Sequence, residues 1–384
     1  MAILQDLHAA ATWVGWYILP FVLVMTAIVF FHELGHYLVG RWCGVKIDTF
    51  SLGFGPEIYA RTDKRGTRWR LAAVPVGGYV KFHGDADAAS APDHDGVAAM
   101  TPAERAQTLA GQPLANRAAI VAAGPIANFI LAVAIFAALF VVFGRAEQTP
   151  RIGAVEAGSP AAEAGFEVGD LVKEVNGRPI ATFEDLQQET LLSTGLPMSF
   201  VVDRAGGETR LTATPEIAVV DQGPLGKRRM GRLGLVSSRS PADTKIERCA
   251  LPACLVWGAQ EVGFIVEATG AYVGGLVAGR ETADNLSGPI GVGQIAGEMA
   301  KISLWQLLSL AGLFSVSVGL MNLLPVPLLD GGHLLYFAFE ALRGRPLSDR
   351  MQQIGVRIGI AFVAALMIFT TSHDILRLVA PINP

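Results

Sequence analysis

Hydrophobic positions along this chain gather into four long runs separated by polar stretches of very unequal length. The first is WVGWYILPFVLVMTAIVFF, Trp13 to Phe31, and the second AAIVAAGPIANFILAVAIFAALFVVF, Ala118 to Phe143. The third is LWQLLSLAGLFSVSVGLMNLLPVPLL, Leu304 to Leu329, and the fourth IGVRIGIAFVAALMIF, Ile354 to Phe369, with Arg357 near its start. At 1.5 Å per residue the first run predicts a helix of about 28 Å, enough to cross a hydrocarbon core of about 30 Å. A fifth apolar stretch, Leu251 to Gly279, is interrupted by Glu261 and Glu267, and its polar residues recur at helical spacing. It predicts an amphipathic helix lying on or beside the membrane.

The polar intervals orient these spans. No Lys or Arg precedes Arg41, so the first run lacks the basic flank of a removable signal and reads as a retained span. The interval from Arg41 to Arg117 carries Arg61, Lys64, Arg65, Arg68 and Arg70, which predicts a cytoplasmic loop and an external N-terminus. Four spans then put both ends outside, with Arg343, Arg345 and Arg350 on a short inner loop. Within the first interval, RWRLAAVPVGGYVKFHG, Arg68 to Gly84, alternates weakly around Gly77 and Gly78. It reads as an apolar hairpin dipping into the membrane surface, followed by a mobile polar loop from Asp85 to Asp95.

The long interval from Thr149 to about Thr244 has the periodicities of a soluble α+β block. Pattern and turn residues predict a strand, a Gly-Ser-Pro turn, a short Ala-rich helix, and a strand ending at Asn176-Gly177. A second helix and a hairpin at Gly206-Gly207 follow. The arrangement SPAAEAG, then GDLVKEVNG, resembles a bacterial PDZ domain, present in one copy.

Composition sharpens the membrane reading. Of 384 residues 51% are hydrophobic and only 17% charged, against roughly 25% in soluble domains, and mean hydropathy is +0.42. A net charge of −4 without a basic run argues against a nucleic-acid partner. Cys43, Cys249 and Cys254 match no zinc spacing and are expected as unpaired thiols, although Cys249 and Cys254 could join in an oxidising compartment.

Chemistry enters where the first run should end. The sequence continues FFHELGH, placing His32, Glu33 and His36 where ionisable groups are expensive. His32 and His36 stand at i and i+4, on one helix face, within reach of one metal ion. Glu33 is placed to take a proton from water beside that metal. A third ligand is expected near another span on the same side, and NLLPVPLLDGGH, Asn322 to His333, offers Asp330, with His333 ranked below it. Pro325 and Pro327 forbid a regular helix through that segment, and irregular backbone at membrane depth belongs only beside protein or a cavity.

HELGH and NLLPVPLLDGG together, with GFGP, PVGGYVKF, GPIANF and LSGPIGV between them, resemble the signature of the site-2 protease family of intramembrane zinc metalloproteases. The resemblance covers most of the chain. It departs in having one PDZ domain, where the best-known enterobacterial members have two. It implies a polytopic α-helical membrane protein of about four spans, with a membrane re-entrant β-hairpin and one inserted extracytoplasmic PDZ domain. Its expected divisions are 1–148, 149–244, 245–303 and 304–384. It implies Zn2+ on His32, His36 and Asp330, Glu33 as catalytic base, and Asn322, Pro325, Pro327, Gly77 and Gly78 close to substrate. Asn322 could help hold an oxyanion or bond another helix. The implied partners are the lipid bilayer and transmembrane segments of other proteins, such as anti-sigma factors or signal-peptide remnants, trimmed first by another protease. A peptide C-terminus could dock at the PDZ domain, and the setting is the bacterial cytoplasmic membrane. The competing readings are an inactive membrane-anchored PDZ scaffold and a transporter, the latter without the internal repeat it should carry.

Overall fold

In the computed structural model, residues 14–85, 96, 99–221, 227–238, 240–279, 283 and 286–379 are described. Most of the polar loop expected at Asp85 to Asp95 lies outside them. The chain divides into two compact units, one of residues 1–135 and 291–371, the other of 136–290 and 372–384.

The first unit is built on α1, Leu19–Trp42, which follows a π-helical turn at Val14–Ile18. Beside it run the N-terminal part of α2, Leu114–Phe143, and α7, Leu304–Leu323. Val24 and Ile28 of α1 pack with Ala311 of α7, and Met25, Ile135, Leu307, Phe314 and Val318 close around them. Lys301, just before α7, donates to the Tyr17 hydroxyl at 2.6 Å. These contacts make α1 and α7 run in the same direction, and α2 against both. A Cβ at Gly35 would collide with the Ala123 carbonyl and lie 2.8 Å from Ala127 Cβ, so α1 and α2 cross almost backbone to backbone.

Strands β1, Ile47–Thr62, and β2, Arg68–Phe82, form the unit's sheet. This differs from the hairpin expected within Arg68 to Gly84. The turn falls earlier, at 63–67, where Asp63 Oδ1 accepts from Arg65 N at 2.8 Å and Thr67 N at 3.0 Å. The chain also turns back within β2, between Leu71 and Gly78, but the two arms flank residues 49–52 of β1 and do not pair with each other. Gly77, at φ +101°, lies in that reversal, and a Cβ there would meet Phe54 at 2.5 Å. Residues Thr49 to Leu52 face Lys81 to Gly78 on one side and Arg68 to Leu71 on the other, so β1 lies between both ends of β2. Tyr37, Phe50 and Trp69 join sheet to α1, with Phe50 stacked on Trp69 at 4.3 Å.

The segment after α7 is irregular, as its prolines dictate. Leu324, before Pro325, is extended at ψ 143°. Helix α8, Asp330–Arg343, follows, and then α9, Asp349–Val379. Arg117 grips Glu340 of α8 with both nitrogens, one at 3.1 Å, and lies 5.1 Å from the Phe337 ring centroid.

In the second unit the strands are β3, Arg145–Gln148; β4, Ile152–Val155; β5, Leu171–Val175; and β6, Arg178–Pro179. They continue with β7, Met198–Arg204; β8, Gly207–Ala213; β9, Glu216–Asp221; β10, Lys227–Arg232; β11, Leu235–Ser237; and β12, Thr244–Glu247. A four-stranded sheet has the order β6-β5-β7-β8. Helices α3, Pro160–Glu163, and α4, Phe183–Leu192, start at Ser159 and Thr182 caps as the turn residues direct. Ile152, Phe166, Val172, Phe183, Leu186 and Phe200 lie in the core. Arg204 bonds both Asp170 oxygens at 2.8 Å; burial alone would raise the Asp170 pKa, but the guanidinium outweighs it and holds the carboxyl low.

One expectation changes here. Leu251–Val277 is one unbroken helix, α5, as expected, and it is one of five helices among the described residues that are long and apolar enough to cross a membrane. Glu261 and Glu267 do not break it, because a carboxylate every six residues lowers mean hydropathy without removing a backbone bond. Cys249 and Cys254 form a disulfide with Cα atoms 5.4 Å apart, so the expectation of three thiols is corrected. The first turn of α5 brings Cys254 back to Cys249, a distance suited to pairing. Cys43 is free. Helix α6, Pro289–Ile302, leads back to the first unit.

Candidate metal centre

Helix α1 places His32 and His36 on its buried face, 9% and 8% exposed. Asp330 reaches the same point from the first residue of α8. His32 Nε2 lies 3.2 Å from His36 Nε2, and Asp330 Oδ2 lies 3.1 Å and 3.4 Å from these nitrogens. Among the described residues these three form the group able to hold a metal ion. For a tetrahedral site with ligand bonds of about 2.0–2.1 Å, neighbouring donors should stand about 3.3 Å apart. The triangle fits zinc.

The far side of each imidazole is also fixed. His36 Nδ1 stands 2.8 Å from the Ile120 carbonyl, so it carries the proton and leaves Nε2 with a lone pair. His32 Nδ1 stands 3.2 Å from the Asn128 amide, whose Oδ1 is otherwise buried without a partner. An amide rotation that turns Oδ1 to His32 gives the same outcome, an Nδ1–H donor and an unprotonated Nε2. Asn128 is fully buried, and its carbonyl accepts from Ser315 of α7 at 2.8 Å. Reasoning from the sequence assigned it no role, although it stands in GPIANF. Its spacing from HELGH gives no signal until the two helices cross. Gly124 of the same segment admits the imidazoles: a Cβ there would lie 2.8 Å from His32 Cε1 and overlap His36.

Beside the triad lies a cleft of about 230 Å³ lined by Glu33, Gly78, Tyr79, Val80, Asn322 and His333, among others. The Val80 N–H reaches the Glu33 carboxyl. Gly78 lets β2 pass this close, since a Cβ there would stand 2.8 Å from Ser51 O and 3.2 Å from Glu33 Cγ. Gly77 serves the reversal and does not line the cleft. Asn322 does line it, but its amide donates to Val318 O of its own helix at 3.1 Å and, among the described residues, bonds no other helix. Pro325 and Pro327 do not line it; their neighbours Leu328 and Leu329 do. His333 is outside the ligand triangle.

Two histidines and an aspartate converging on one point, with a glutamate next in sequence to the first histidine, define a metal-dependent hydrolase centre set among apolar helices. The chain belongs to peptidase family M50, whose profile matches residues 20–366. It is 45% identical over 376 residues to "Putative zinc metalloprotease Atu1380" of Agrobacterium fabrum, covering 98% of this chain and all of that one. It is 38% identical to "Metalloprotease MmpA" of Caulobacter vibrioides, covering 92% and 94%. Among solved structures, the PDZ domain of an SdrC-like protein from Listeria monocytogenes matches 23% of this chain and 84% of its own at 15% identity and a TM-score of 0.19. That score is too low to bear on the block's fold.

Proposed function

We propose that this protein is a zinc-dependent intramembrane endopeptidase that cuts transmembrane segments of other membrane proteins. The carrying observation is the triangle of His32, His36 and Asp330 donors opening on a cleft with Glu33 in its wall. Zinc held by the three would supply Lewis acidity, making water a better acid and a peptide carbonyl a better electrophile. Glu33 takes the proton of the attacking water and returns it to the leaving nitrogen. The β2 segment Gly78 to Val80 runs along the cleft and offers backbone groups to an unwound substrate, whose own helical bonds must open before hydrolysis. Expected substrates are single-span anchors such as anti-sigma factors or signal-peptide remnants, trimmed beforehand.

Four crossings are the reading that the shared direction of α1 and α7, with α2 against both, supports. α7 begins on the side where α2 ends, so the chain between them crosses the membrane an even number of times. α6, of 14 residues, is only about 21 Å long, too short to return across about 30 Å. On this reading α5 lies along the outer membrane surface, where its two glutamates can meet water. The basic 43–113 interval faces the cytoplasm. The block 149–244, read as a PDZ domain, faces outward with the Cys249–Cys254 disulfide, which suits an oxidising compartment. There it would bind a peptide C-terminus or exclude bulky ectodomains.

The test is cleavage of a trimmed single-span substrate in proteoliposomes by the native chain, by Glu33→Gln, and after zinc chelation. Cleavage lost in both controls and restored by zinc supports the reading. Stoichiometric zinc without cleavage of any such substrate leaves the scaffold.

A further inference from the structure

His333 belongs to the cleft yet has no role in the mechanism above. It sits in the first turn of α8, three residues after Asp330, a spacing that makes helix side chains neighbours. It lines the same cleft as Glu33 and Asn322. Its ring packs edge-on against Tyr336, centroids 6.2 Å apart at 83°, which fixes its plane. Among the described residues its side chain makes no hydrogen bond and is not a ligand donor. Its ring nitrogens therefore keep their hydrogen-bonding capacity for a group that enters the cleft.

We propose that His333 is a catalytic residue whose ring N–H donates a hydrogen bond to the scissile carbonyl oxygen as negative charge builds there. The inference rests on the protease reading. Water adds to the carbonyl carbon, the C=O π pair moves onto oxygen, and Glu33 receives the proton. On collapse the C=O bond re-forms, the C–N bond breaks, and the nitrogen leaves with the proton from Glu33. His333 gains and loses no proton in either step; it only donates. Asn322 is less free for this task, because one of its amide hydrogens is committed to Val318 O. A donor that meets charge only in the transition state lowers the barrier without tightening substrate binding.

The experiment uses the full chain in proteoliposomes with a single-span substrate, comparing native protein, His333→Ala and His333→Gln, with zinc affinity measured by chelator competition. His333→Ala should lower kcat by about 10²- to 10³-fold with little change in KM. Zinc affinity should stay native, and His333→Gln, which keeps an N–H donor, should recover at least about tenfold of the lost kcat. A His333→Ala kcat within about fivefold of native overturns the proposal. So does lost zinc affinity, which would make His333 a ligand, or a Gln variant as poor as the Ala variant. An inactive native chain would sink the protease reading itself, an outcome distinct from all of these.

Discussion

Replacing Asn128 tests whether the second helix orients the metal ligand on the first. The side chain is fully buried and lies 3.2 Å from His32 Nδ1. In Asn128→Ala the imidazole keeps its Nδ1 proton but loses its acceptor in a buried site. Leaving a buried donor unpaired costs about 1–3 kcal/mol, which at about 1.4 kcal/mol per decade is about a 5- to 150-fold loss of zinc affinity. The range agrees with the roughly 10- to 100-fold expected when a group behind a metal ligand is removed. Asn128→Asp keeps an oxygen at the same place and should retain affinity to within about threefold. Competition with a graded series of chelators, on protein in detergent, measures both. The backbone bond from Ser315 is unaffected by either change, so helix packing survives as a control. Native affinity in Asn128→Ala would refute the orientation argument, because His32 would then be held by α1 alone.

Other expectations follow from single contacts. Gly78→Ala should reduce cleavage by about tenfold or more with zinc retained, since its Cβ crowds Ser51 O and Glu33 Cγ; unchanged cleavage would show that β2 yields there. Arg117→Glu should lower zinc affinity by loosening α8, and the swap with Glu340→Arg should restore part of it; no rescue would mean the pair is incidental. Alkylation without reductant should block Cys43 alone, and reduction should expose two further thiols; three reactive thiols at the outset would exclude the disulfide. The Glu147 carboxyl is pushed above its ordinary pKa, first by a hydrogen bond shared with the Glu247 carboxyl and then by burial. A raised acid binds its proton more tightly when folded, so its contribution is complete below the ordinary carboxylate range and lost as pH rises through the raised value. Glu147→Gln should flatten that part of the melting-temperature profile, and an unchanged profile would reject the shared proton.

The metal triad was legible because its constraint is local on each side: HELGH fixes two ligands by helical period, and the prolines fix where Asp330 starts a new helix. Asn128 and the Ile120 carbonyl were not, because their meaning depends on α1 crossing α2 at Gly35, a contact that no spacing along the chain encodes. The soluble block was readable from its caps and turns at Ser159, Thr182 and Asn176-Gly177. The reversal near Gly77-Gly78 was legible, but the insertion of residues 49–52 of β1 between its two arms was not, because that pairing comes from outside the segment. α5 shows the limit of counting charges: two glutamates in 27 residues fit a helix that crosses as well as one that lies flat.

Those directions also couple the metal to the stability of the first unit. Two ligands stand on α1, one on α8, and the groups behind both imidazoles on α2, so the donor triangle exists only when the three helices are packed. Without a cation, lone pairs 3.1–3.4 Å apart oppose that packing unless a proton is shared among them. Zinc should therefore stabilise this unit by RT ln(1 + [Zn]/Kd), about 2.7 kcal/mol at free zinc a hundredfold above Kd. At about 2–4 °C per kcal/mol for a unit of this size, the melting temperature should rise by roughly 5–10 °C. Asp330→Asn should abolish the rise, because the amide supplies a weaker donor and no charge. Hydrogen exchange at Leu328 to Gly332 should slow with zinc, since that irregular segment carries the third ligand. Equal melting with and without stoichiometrically bound zinc would mean that zinc binds the unfolded chain as tightly as the packed unit, and the coupling argument would fail.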